Sequence, residues 1–568
     1  MIDCLIIGHN DGDFDAIVKT LHSMGTDHPD YRDLNLNFIE YNNKAYRALD
    51  ILDYFYYQNN NDAYRSFHNA DLLWNVIMYL GTYLSRRGFS FDYINLFQFE
   101  KDKLREKLEH NNYLTIAITT TIYTTVEPIQ EVISFIKKIN NTANIIVGGP
   151  FIAKQVETID ISNLKLLFGY IGADYYILSR EGEQALADLL YALKKTVTIS
   201  NIKNISYKKG KDYIITKMEN EINSLEDNMI DYTLFSKKDI GETINIRTSK
   251  GCPYSCSYCG FPLRAGKYKC LDVDYIIKEL DQIEKIGTVR NIFFMDDSIN
   301  VPKVRFKELM LAMIKKDYSF KWNCFFRCDS SDAELIKLMK EANCEGVFLG
   351  LESANEQVLK NMNKTSRKSD FLKAIPVFKK AGLAVFVSTF TGFPGETYKT
   401  FQETIDLLRE TEPDFYRPQL WFCDPVTPIW NQREKYGLKG SNFSWKHSTM
   451  NVKEACDLNE EAFLTVDKTV WVPDPGYNFT SIYYMKQRGM SIGKQKKFLK
   501  AFNDVVREKI IYPYKKSISP NLLESLKRAS QYNRQDQVNI GSLETVSKIK
   551  YEKKQNLITK FESSKFNF

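Results

Sequence analysis

The first half of the chain repeats one hydrophobic pattern, in which a short β-branched run meets a polar loop and then a helical segment. The runs include "DCLIIGHND", "LTIAITTTIYTT", "NIIVGGPF" and "ADYYILSREGE", with helical periodicity at 127–139 and 183–194. Strands that alternate with helices form right-handed βαβ units around a parallel sheet, whose ligands bind at the carboxyl ends of the strands. The pattern therefore predicts functional loops at 8–11, 119–121, 148–150 and 180–183.

An aromatic-rich stretch at about 30–90 interrupts this pattern, and its second half has helical periodicity. We interpret it as a helical insertion packed on the sheet of a first domain, residues 1–200; the alternative is a lid over a substrate or cofactor. Residues 201–242 are polar, with short strands and a turn at "KKGKD", and are predicted to be a connector.

A second series of strand-like runs begins at about 243 and includes "TINIRTSKG", "NIFFMDDS", "KWNCFFRCD", "GVFLGLES" and "VFVSTFTGFPGE". Six such units predict a full or partial parallel (β/α)6 barrel over 243–440, with active loops at the strand ends. The alternation then fades, and 441–568 is predicted to be a mainly helical C-terminal domain that faces the substrate. The predicted fold class is α/β.

Composition narrows the function classes. The 568 residues are 43% hydrophobic and 26% charged, and the net charge of +6 is spread without a long basic run, so nucleic acid is not an expected partner. The N-terminus is interpreted as a buried strand and not a signal peptide, and no apolar run is long enough to span a membrane. We expect a cytoplasmic protein without a membrane partner, whose ten irregularly spaced cysteines form no disulfide framework.

Three cysteines lie within eight residues, in "CPYSCSYC". Cys252, Cys256 and Cys259 form C-x3-C-x2-C just after the first strand of the second series. Soft thiolates suit zinc or an iron–sulfur cluster. Structural zinc normally takes four ligands, and no second cysteine pair stands at a suitable distance, whereas three thiolates leave one corner of a [4Fe-4S] cube open. A structural metal site and unrelated loop cysteines remain as alternatives.

This loop resembles the signature of the radical S-adenosylmethionine (SAM) superfamily, C-x3-C-x-aromatic-C, with Tyr258 at the aromatic position. The resemblance implies that the three cysteines bind a [4Fe-4S] cluster, whose open iron is chelated by SAM. One electron from the cluster then cleaves SAM to methionine and a 5'-deoxyadenosyl radical. A flavodoxin or ferredoxin is the implied electron donor.

Further segments follow in the order that the superfamily implies: "FMDDS", "FRCD", "LGLES" and "TGFPGET". Carboxylates suit the SAM ammonium, a guanidinium suits its carboxylate, and Glu or Ser suits ribose hydroxyls. The glycine-containing loop resembles the one near adenine. The implied SAM-binding residues are Tyr258, Asp296, Asp297, Arg327, Glu352, Ser353, Gly392 and Pro394. Cys270, Cys324, Cys328, Cys344 and Cys423 form no second cluster signature and are expected in the core.

The first domain resembles the Rossmann-like cobalamin-binding domain that often precedes a radical SAM barrel, over roughly 79–190. Adjacent glycines let backbone approach a large ring, and threonines bond its side chains. The implied cobalamin-binding residues are His9, Asn10, Thr119, Thr120, Thr121, Gly148, Gly149, Pro150, Arg180, Glu181 and Gly182. A nucleotide-binding or purely structural sheet is the alternative, although "GHNDGD" lacks the dinucleotide fingerprint. The D-x-H-x-x-G motif is absent, so no histidine from it ligates cobalt.

Together the two resemblances imply a cobalamin-dependent radical SAM methyltransferase that uses methylcobalamin to methylate an unactivated centre of a peptide or small natural product. The alternative is a cobalamin-containing enzyme that rearranges, cyclises or oxidises its substrate. The N-terminal pieces are similar to a subgroup that includes phosphinate P-methyltransferases. No catalytic side chain is assigned, because no side-chain base performs such chemistry, and the oligomeric state stays open.

Overall fold

The computed structural model describes residues 1–60, 66–68 and 71–532. Its strands are β1 (Ile2–His9), β2 (Phe38–Tyr41), β3 (Lys44–Arg47), β4 (Phe91–Leu96), β5 (Tyr113–Thr119), β6 (Asn144–Gly148), β7 (Tyr175–Ile177), β8 (Ile205–Lys209), β9 (Asp212–Ile215), β10 (Thr243–Ile246), β11 (Ser249–Lys250), β12 (Lys269–Cys270), β13 (Asn291–Phe294), β14 (Lys321–Phe326), β15 (Cys344–Glu352), β16 (Ala384–Thr391), β17 (Phe415–Leu420), β18 (Lys446–His447), β19 (Met450–Asn451) and β20 (Val470–Trp471).

The helices are α1 (Phe14–Ser23), α2 (Pro29–Asn35), α3 (Ala48–Asn59), α4 (Asn75–Arg86), α5 (Lys101–His110), α6 (Glu127–Ile139), α7 (Pro150–Thr158), α8 (Ile161–Ile171), α9 (Glu183–Lys195), α10 (Lys237–Ile240), α11 (Phe261–Ala265), α12 (Val273–Ile286), α13 (Lys303–Lys316), α14 (Ala333–Glu341), α15 (Glu356–Asn361), α16 (Lys368–Lys380), α17 (Tyr398–Thr411), α18 (Arg433–Tyr436), α19 (Val452–Thr465), α20 (Phe479–Gln487), α21 (Ile492–Ile511) and α22 (Pro520–Ala529).

The described residues divide into two compact units. The first lies within Met1–Asp13 and Ala70–Gly241, and the second within Phe14–Asn69 and Glu242–Phe568. The first unit holds a seven-stranded sheet in the order β4-β1-β5-β6-β7-β8-β9. Its first five strands are parallel, and β8 and β9 extend it as an antiparallel pair. The predicted connector therefore contributes two strands to this sheet.

The second unit is built on a parallel seven-stranded sheet in the order β10-β13-β14-β15-β16-β17-β20. Helices follow most strands, as in a barrel built from βα units. The α/β class and the parallel sheets are confirmed. The last strand, β20, comes from the predicted C-terminal domain, so the sheet extends past residue 440. Helices α19 to α22 make the rest of that region mainly helical, and residues after 532 lie outside the described part.

Residues 14–60 differ from the prediction that placed them on the first sheet, because they pack within the second unit. Arg32 on α2 donates to Asp457 Oδ1 at 2.7 Å and to Glu460 Oε1 at 2.9 Å on α19. Trp471 Nε1 on β20 donates to Asn37 Oδ1 at 3.3 Å. Side chains of the segment thus bond to α19 and β20 of the second unit, while many of its aromatic rings pack on one another. Helix α4, at the end of the predicted insertion, packs on β1 and β4 of the first unit.

Among the described helices, none combines the length and the apolar character that crossing a bilayer requires.

Candidate active site

A cavity of about 310 Å³ in the second unit brings the three cysteines together with several of the predicted SAM-binding residues. It lies at the end of the parallel sheet where β14 and β15 finish, which is where barrel folds hold their active sites. Aromatic side chains from these strands form part of its wall. The lining residues used below are Cys252, Tyr254, Cys256, Tyr258, Cys259, Phe261, Asp297, Phe325, Arg327, Phe348, Glu352 and Lys364.

The cysteine loop is held in place by backbone contacts to other loops of the same unit. Gly251, before the first cysteine, has φ +75°, and a Cβ there would lie 2.8 Å from Gly266 O, so only glycine fits. Ser257 N donates to Met362 O at 2.8 Å, and Ser257 O accepts from Ile429 N at 2.8 Å. The loop is therefore fixed before any metal binds.

The three thiols are free, and the surroundings of two of them, Cys252 and Cys259, favour the protonated form. Burial raises the pKa of Cys259 to about 11 and raises the pKa of Cys252. Such thiols become thiolates when a cation displaces the proton. Within the described ranges, no three His, Cys, Asp or Glu side chains could share one metal ion. In an iron–sulfur cube each thiolate binds a different iron, so the three sulfurs need to line one cavity and not to meet at one point.

A buried ion pair lies beside the cysteines. Lys364 Nζ is 3.2 Å from Glu352 Oε1, and the side chains are 5% and 10% exposed. Tyr258 OH donates to the same Glu352 oxygen at 3.3 Å. Glu352 has φ +63° at a register shift of β15, which is rare for a residue other than glycine. Burial, and then the Glu352 charge, raises the pKa of Tyr258 well above its usual value, so its hydroxyl stays a donor.

Arg327 lines the cavity, but its guanidinium is already engaged by protein groups. Its Nε and Nη2 lie 3.1 and 2.8 Å from the two oxygens of Asp329, and Nη2 donates to Thr365 Oγ1 at 2.6 Å. The guanidinium also stacks 3.6 Å from the centre of the Tyr254 ring. Arg327 thus contributes a positive charge to the cavity wall while its own donors hold neighbouring loops.

The two acids of "FMDDS" have different surroundings. Asp296 is buried and accepts from Thr248 N at 3.0 Å and from Ser249 Oγ, so it fixes the start of the cysteine loop and does not line the cavity. Asp297 faces the cavity. Burial, and then the neighbouring Asp296 charge, raises the pKa of Asp297 to about 7. A carboxyl held in this state gains from a cationic ligand.

The remaining predicted SAM-binding residues lie outside the cavity lining. Ser353 is fully buried, and its Oγ accepts from Asn355 N at 3.2 Å. Gly392 has φ +94° and packs so closely on Trp445 that a Cβ would lie 2.4 Å from that ring. Pro394 O accepts from Asn361 Nδ2 at 3.0 Å. Gly392 and Pro394 shape the loop after β16, whereas Ser353 directly follows β15.

Glu396 closes that loop and predicts a pH-dependent stability. Its buried carboxylate accepts from Gly392 N, and burial raises its pKa to about 8. Because the folded protein holds this proton more tightly, the stabilisation is complete below the ordinary pKa of 4.5 and is lost as the pH rises through about 8. Relative to Glu396→Gln, we expect the wild-type free energy of unfolding to fall by about 1.4 kcal/mol per pH unit across that window.

Urea denaturation at a series of pH values measures this difference. Glu410→Gln, on the exposed surface of α17, is the matched control and should follow the wild type. Parallel stability profiles for wild type and Glu396→Gln would contradict the prediction.

The predicted cobalamin-binding residues come together at one edge of the first sheet. His9, Thr119 and Gly148 end the neighbouring parallel strands β1, β5 and β6. Thr121, Gly149, Glu181 and Gly182 lie in the loops that follow strands of this sheet, as does Arg180, which pairs with Glu157, and Pro150 begins α7.

Several of these side chains hold the loops themselves. Asn10 Nδ2 donates to Pro128 O and Glu131 Oε2 at 3.1 and 2.9 Å, and Thr119 Oγ1 donates to Ile7 O at 3.1 Å. Thr120 Oγ1 donates to Gly148 O at 2.9 Å. An exposed apolar side chain at this edge is that of Ile122, which is 64% exposed and has φ +60°, a strained conformation for a β-branched residue.

The cysteine loop and the cavity fall within one stretch of known type. Residues 246–408 match the family model of the Radical SAM superfamily. They form a radical SAM domain. Every residue named above as lining the cavity belongs to this radical SAM domain. Such a domain uses SAM and a [4Fe-4S] cluster, so the chain carries the catalytic domain of a radical SAM enzyme.

Relatives of the radical SAM domain include proteins named as methyltransferases. The chain is 26% identical over 305 residues to an uncharacterized methyltransferase of Pyrococcus horikoshii, and the matched region covers 52% of this chain and 64% of that protein. It is 29% identical over 213 residues to bacteriochlorophyllide d C-12(1)-methyltransferase of Chlorobaculum tepidum, covering 37% and 46%. The chain thus spans less than two thirds of the length of these relatives.

The fold is shared with a solved radical SAM methyltransferase, TsrM from Kitasatospora setae, whose structure contains cobalamin and a [4Fe-4S] cluster. The TM-score is 0.54 at 15% identity, over 81% of this chain and 96% of TsrM. The similarity therefore extends well beyond the radical SAM domain.

No sequence pattern indicated Lys364 or the aromatic wall of the cavity in the radical SAM domain. Lys364 stands in "NMNKTSRKSD", where one lysine among several polar residues carries no signal. Phe325 and Phe348 belong to strands whose inward positions are apolar in any barrel. Phe479 on α20 packs on both, with ring centres 6.3 and 5.6 Å away, so it backs the cavity from a distant part of the chain.

Proposed function

We propose that this protein is a cobalamin-dependent radical SAM methyltransferase that acts on a small molecule or peptide. The observation that carries the proposal is the placement of three free cysteine thiols and an unneutralised acid, Asp297, in one cavity of the radical SAM domain. The methyltransferase names of the relatives and the fold shared with TsrM support the transfer of a methyl group.

The residues present fit a cluster and SAM. We assign the [4Fe-4S] cluster to Cys252, Cys256 and Cys259, because three thiolates leave one iron open. Asp297 is suited to the positive charges of SAM, since a cation would relieve the cost of burying its carboxylate. When bound, these groups and cobalamin supply reductive cleavage of SAM and a transferable methyl group.

The other side chains of the cavity form its apolar wall and fix its polar groups in place. Phe261, Phe325 and Phe348 present apolar walls that exclude water. Lys364 holds the Glu352 carboxylate in place through their ion pair, and Tyr258 donates a hydrogen bond to the same oxygen. The cavity therefore offers one fixed acceptor from Glu352 and a second carboxyl group, from Asp297, in the wall that also holds the cysteines.

The carboxyl edge of the first sheet is the proposed cobalamin site. Ile122 supports it, because an exposed apolar side chain on a strained backbone, in the loop after β5, is costly unless something large and apolar covers it. Replacing Ile122 with Asp is expected to weaken cobalamin binding about 10- to 100-fold, since it removes an aliphatic side chain that the bound cofactor would cover.

Retention of hydroxocobalamin after gel filtration measures this loss. Ile161→Asp is the matched control, because Ile161 is 65% exposed in the same unit but begins α8 instead of following a strand. Equal cobalamin retention by both variants would remove Ile122 from the site.

The products formed from SAM test the function without knowledge of the acceptor. The anaerobically reconstituted protein is incubated with SAM, hydroxocobalamin and titanium(III) citrate, and nucleosides are identified by mass spectrometry. S-adenosylhomocysteine is expected, together with methylated cobalamin. 5'-Deoxyadenosine without S-adenosylhomocysteine would favour rearrangement, cyclisation or oxidation. If neither product forms, the proposal that the protein is an enzyme is contradicted. The phosphinate subgroup and a flavodoxin or ferredoxin donor stay predictions.

A further inference from the structure

A second buried polar cluster lies in the same unit, away from the cysteine cavity. Arg417 on β17 is only 5% exposed, and its Nε and Nη1 are buried without a hydrogen-bond acceptor among the residues that the structure describes. Its Nη2 is 3.7 Å from Asp33 Oδ2, which is too long for a hydrogen bond. A buried guanidinium with unsatisfied donors is costly, so this arrangement calls for a further acceptor.

Two acids from distant parts of the chain share this one cation. Asp33 lies on α2, and Asp474 follows β20. Burial raises the pKa of Asp33 and of Asp474, and the Arg417 charge opposes this rise in both. The charge of Asp33 raises the pKa of Asp474 further. Asp33 Oδ1 is also buried without a donor. The cluster thus has more acid than one arginine neutralises, and it calls for a further donor as well.

The arginine is held in position by an aromatic ring. The Arg417 Cζ lies 4.8 Å from the centre of the fully buried Trp471 ring on β20. Trp471 is in turn anchored to Asn37 of the N-terminal segment at 3.3 Å. Stacking fixes the plane of the guanidinium while leaving its edges available to a ligand.

We propose that Arg417, Asp33 and Asp474 bind the headgroup of a molecule that carries an ammonium and a carboxylate on neighbouring atoms, as a free α-amino acid does. The carboxylate accepts from Arg417, and the ammonium donates to the two acids. One ligand thereby satisfies both sets of unpaired atoms, whereas a simple anion or cation would satisfy only one. The inference rests on the proposed function in one respect: we take the molecule that carries this headgroup to be the methyl acceptor of the proposed methyltransferase.

The methionine end of SAM has the same headgroup and is the second source of this chemistry. It is assigned elsewhere, because none of the three residues lines the cavity that contains the cysteines. The two sources are separated by measuring SAM binding directly. Arg417→Gln is expected to keep the wild-type affinity for SAM in anaerobic equilibrium dialysis, and a loss of SAM affinity would assign the cluster to SAM instead.

Thermal unfolding of the reconstituted protein tests the ligand class, since a ligand that binds only the folded state raises the melting temperature with its concentration. The proteinogenic L-amino acids are the probes, tested singly, with acetate and methylammonium as half-headgroup controls. We expect at least one amino acid to raise the melting temperature more than either control. Its apparent Kd should be about 10- to 100-fold weaker in Arg417→Gln, because charge-assisted hydrogen bonds are lost.

Two further variants keep the test decisive. Asp33→Asn retains shape on a partly exposed side chain and should weaken the same ligand even if Arg417→Gln folds poorly. Arg507→Gln removes an arginine that pairs with Asp504 on the surface of α21, and it should leave binding unchanged. The proposal is overturned if no amino acid stabilises the wild type, if acetate does so equally well, or if stabilisation persists in both site variants. Because no turnover is measured, these outcomes are independent of the SAM-product assay.

Discussion

Replacing Cys256 with Ser is expected to prevent assembly of the iron–sulfur cluster and to abolish SAM cleavage. Cys256 is the most buried of the three thiols, at 7% exposure, and lies between its two partners in the loop. Serine has nearly the same volume but lacks the soft sulfur that iron prefers, so the fold should persist while the metal is lost. Iron and acid-labile sulfide content, visible absorption and the yield of 5'-deoxyadenosine are the measurements.

Cys270→Ser provides the control for thiol loss alone. Cys270 ends β12 near the cysteine loop and is partly buried, but it does not line the cavity. This variant should bind iron and cleave SAM as the wild type does. Full iron content and SAM cleavage in Cys256→Ser would show that the three cysteines are not the ligands.

Replacing Lys364 with Met is expected to lower the free energy of unfolding of the cofactor-free protein by about 3–5 kcal/mol. The substitution keeps the length of the side chain but leaves the Glu352 carboxylate buried without its cation. Urea denaturation measures the loss. SAM affinity should fall too, because Glu352 and Tyr258 would no longer be fixed in the cavity wall.

The chain offers a close control for this ion pair. Lys307 Nζ is also 3.2 Å from its partner, Glu334, but the two side chains are 38% and 52% exposed. Lys307→Met should therefore cost no more than about 1 kcal/mol. Adding Glu352→Gln to Lys364→Met should restore much of the stability, since no buried charge then lacks a partner. Equal effects of Lys364→Met and Lys307→Met would mean that burial does not strengthen the inner pair.

Local patterns predicted much of this architecture. Alternation of β-branched runs with helical periodicity predicted both parallel sheets, because each βαβ unit is encoded within a short stretch. The spacing of Cys252, Cys256 and Cys259 predicted a shared metal site, because a loop of eight residues allows few arrangements. Their common cavity fits that expectation, and so does the position of Asp297.

Features that depend on distant partners were beyond such patterns. Asp296 and Asp297 are adjacent residues of the same type, yet Asp296 holds the start of the cysteine loop and Asp297 faces the cavity. Arg327 was expected to pair with the SAM carboxylate, but Asp329, two residues on, already engages its guanidinium. Strand β20 has only two residues and acquires its place through pairing with β17. None of these outcomes follows from residue type, since each depends on which side chain lies opposite.

The docking of residues 14–60 within the second unit has a consequence for how the chain is made. Arg32 bonds to Asp457, a residue 425 positions later, so this aromatic-rich segment leaves the ribosome long before its partners exist. Contacts between residues so far apart in sequence form slowly, and the apolar surface of the segment is prone to aggregation until they form. Expression at low temperature with chaperones should raise the yield, and a fragment that starts at residue 242 should be insoluble because one wall of the unit is encoded near the start of the gene.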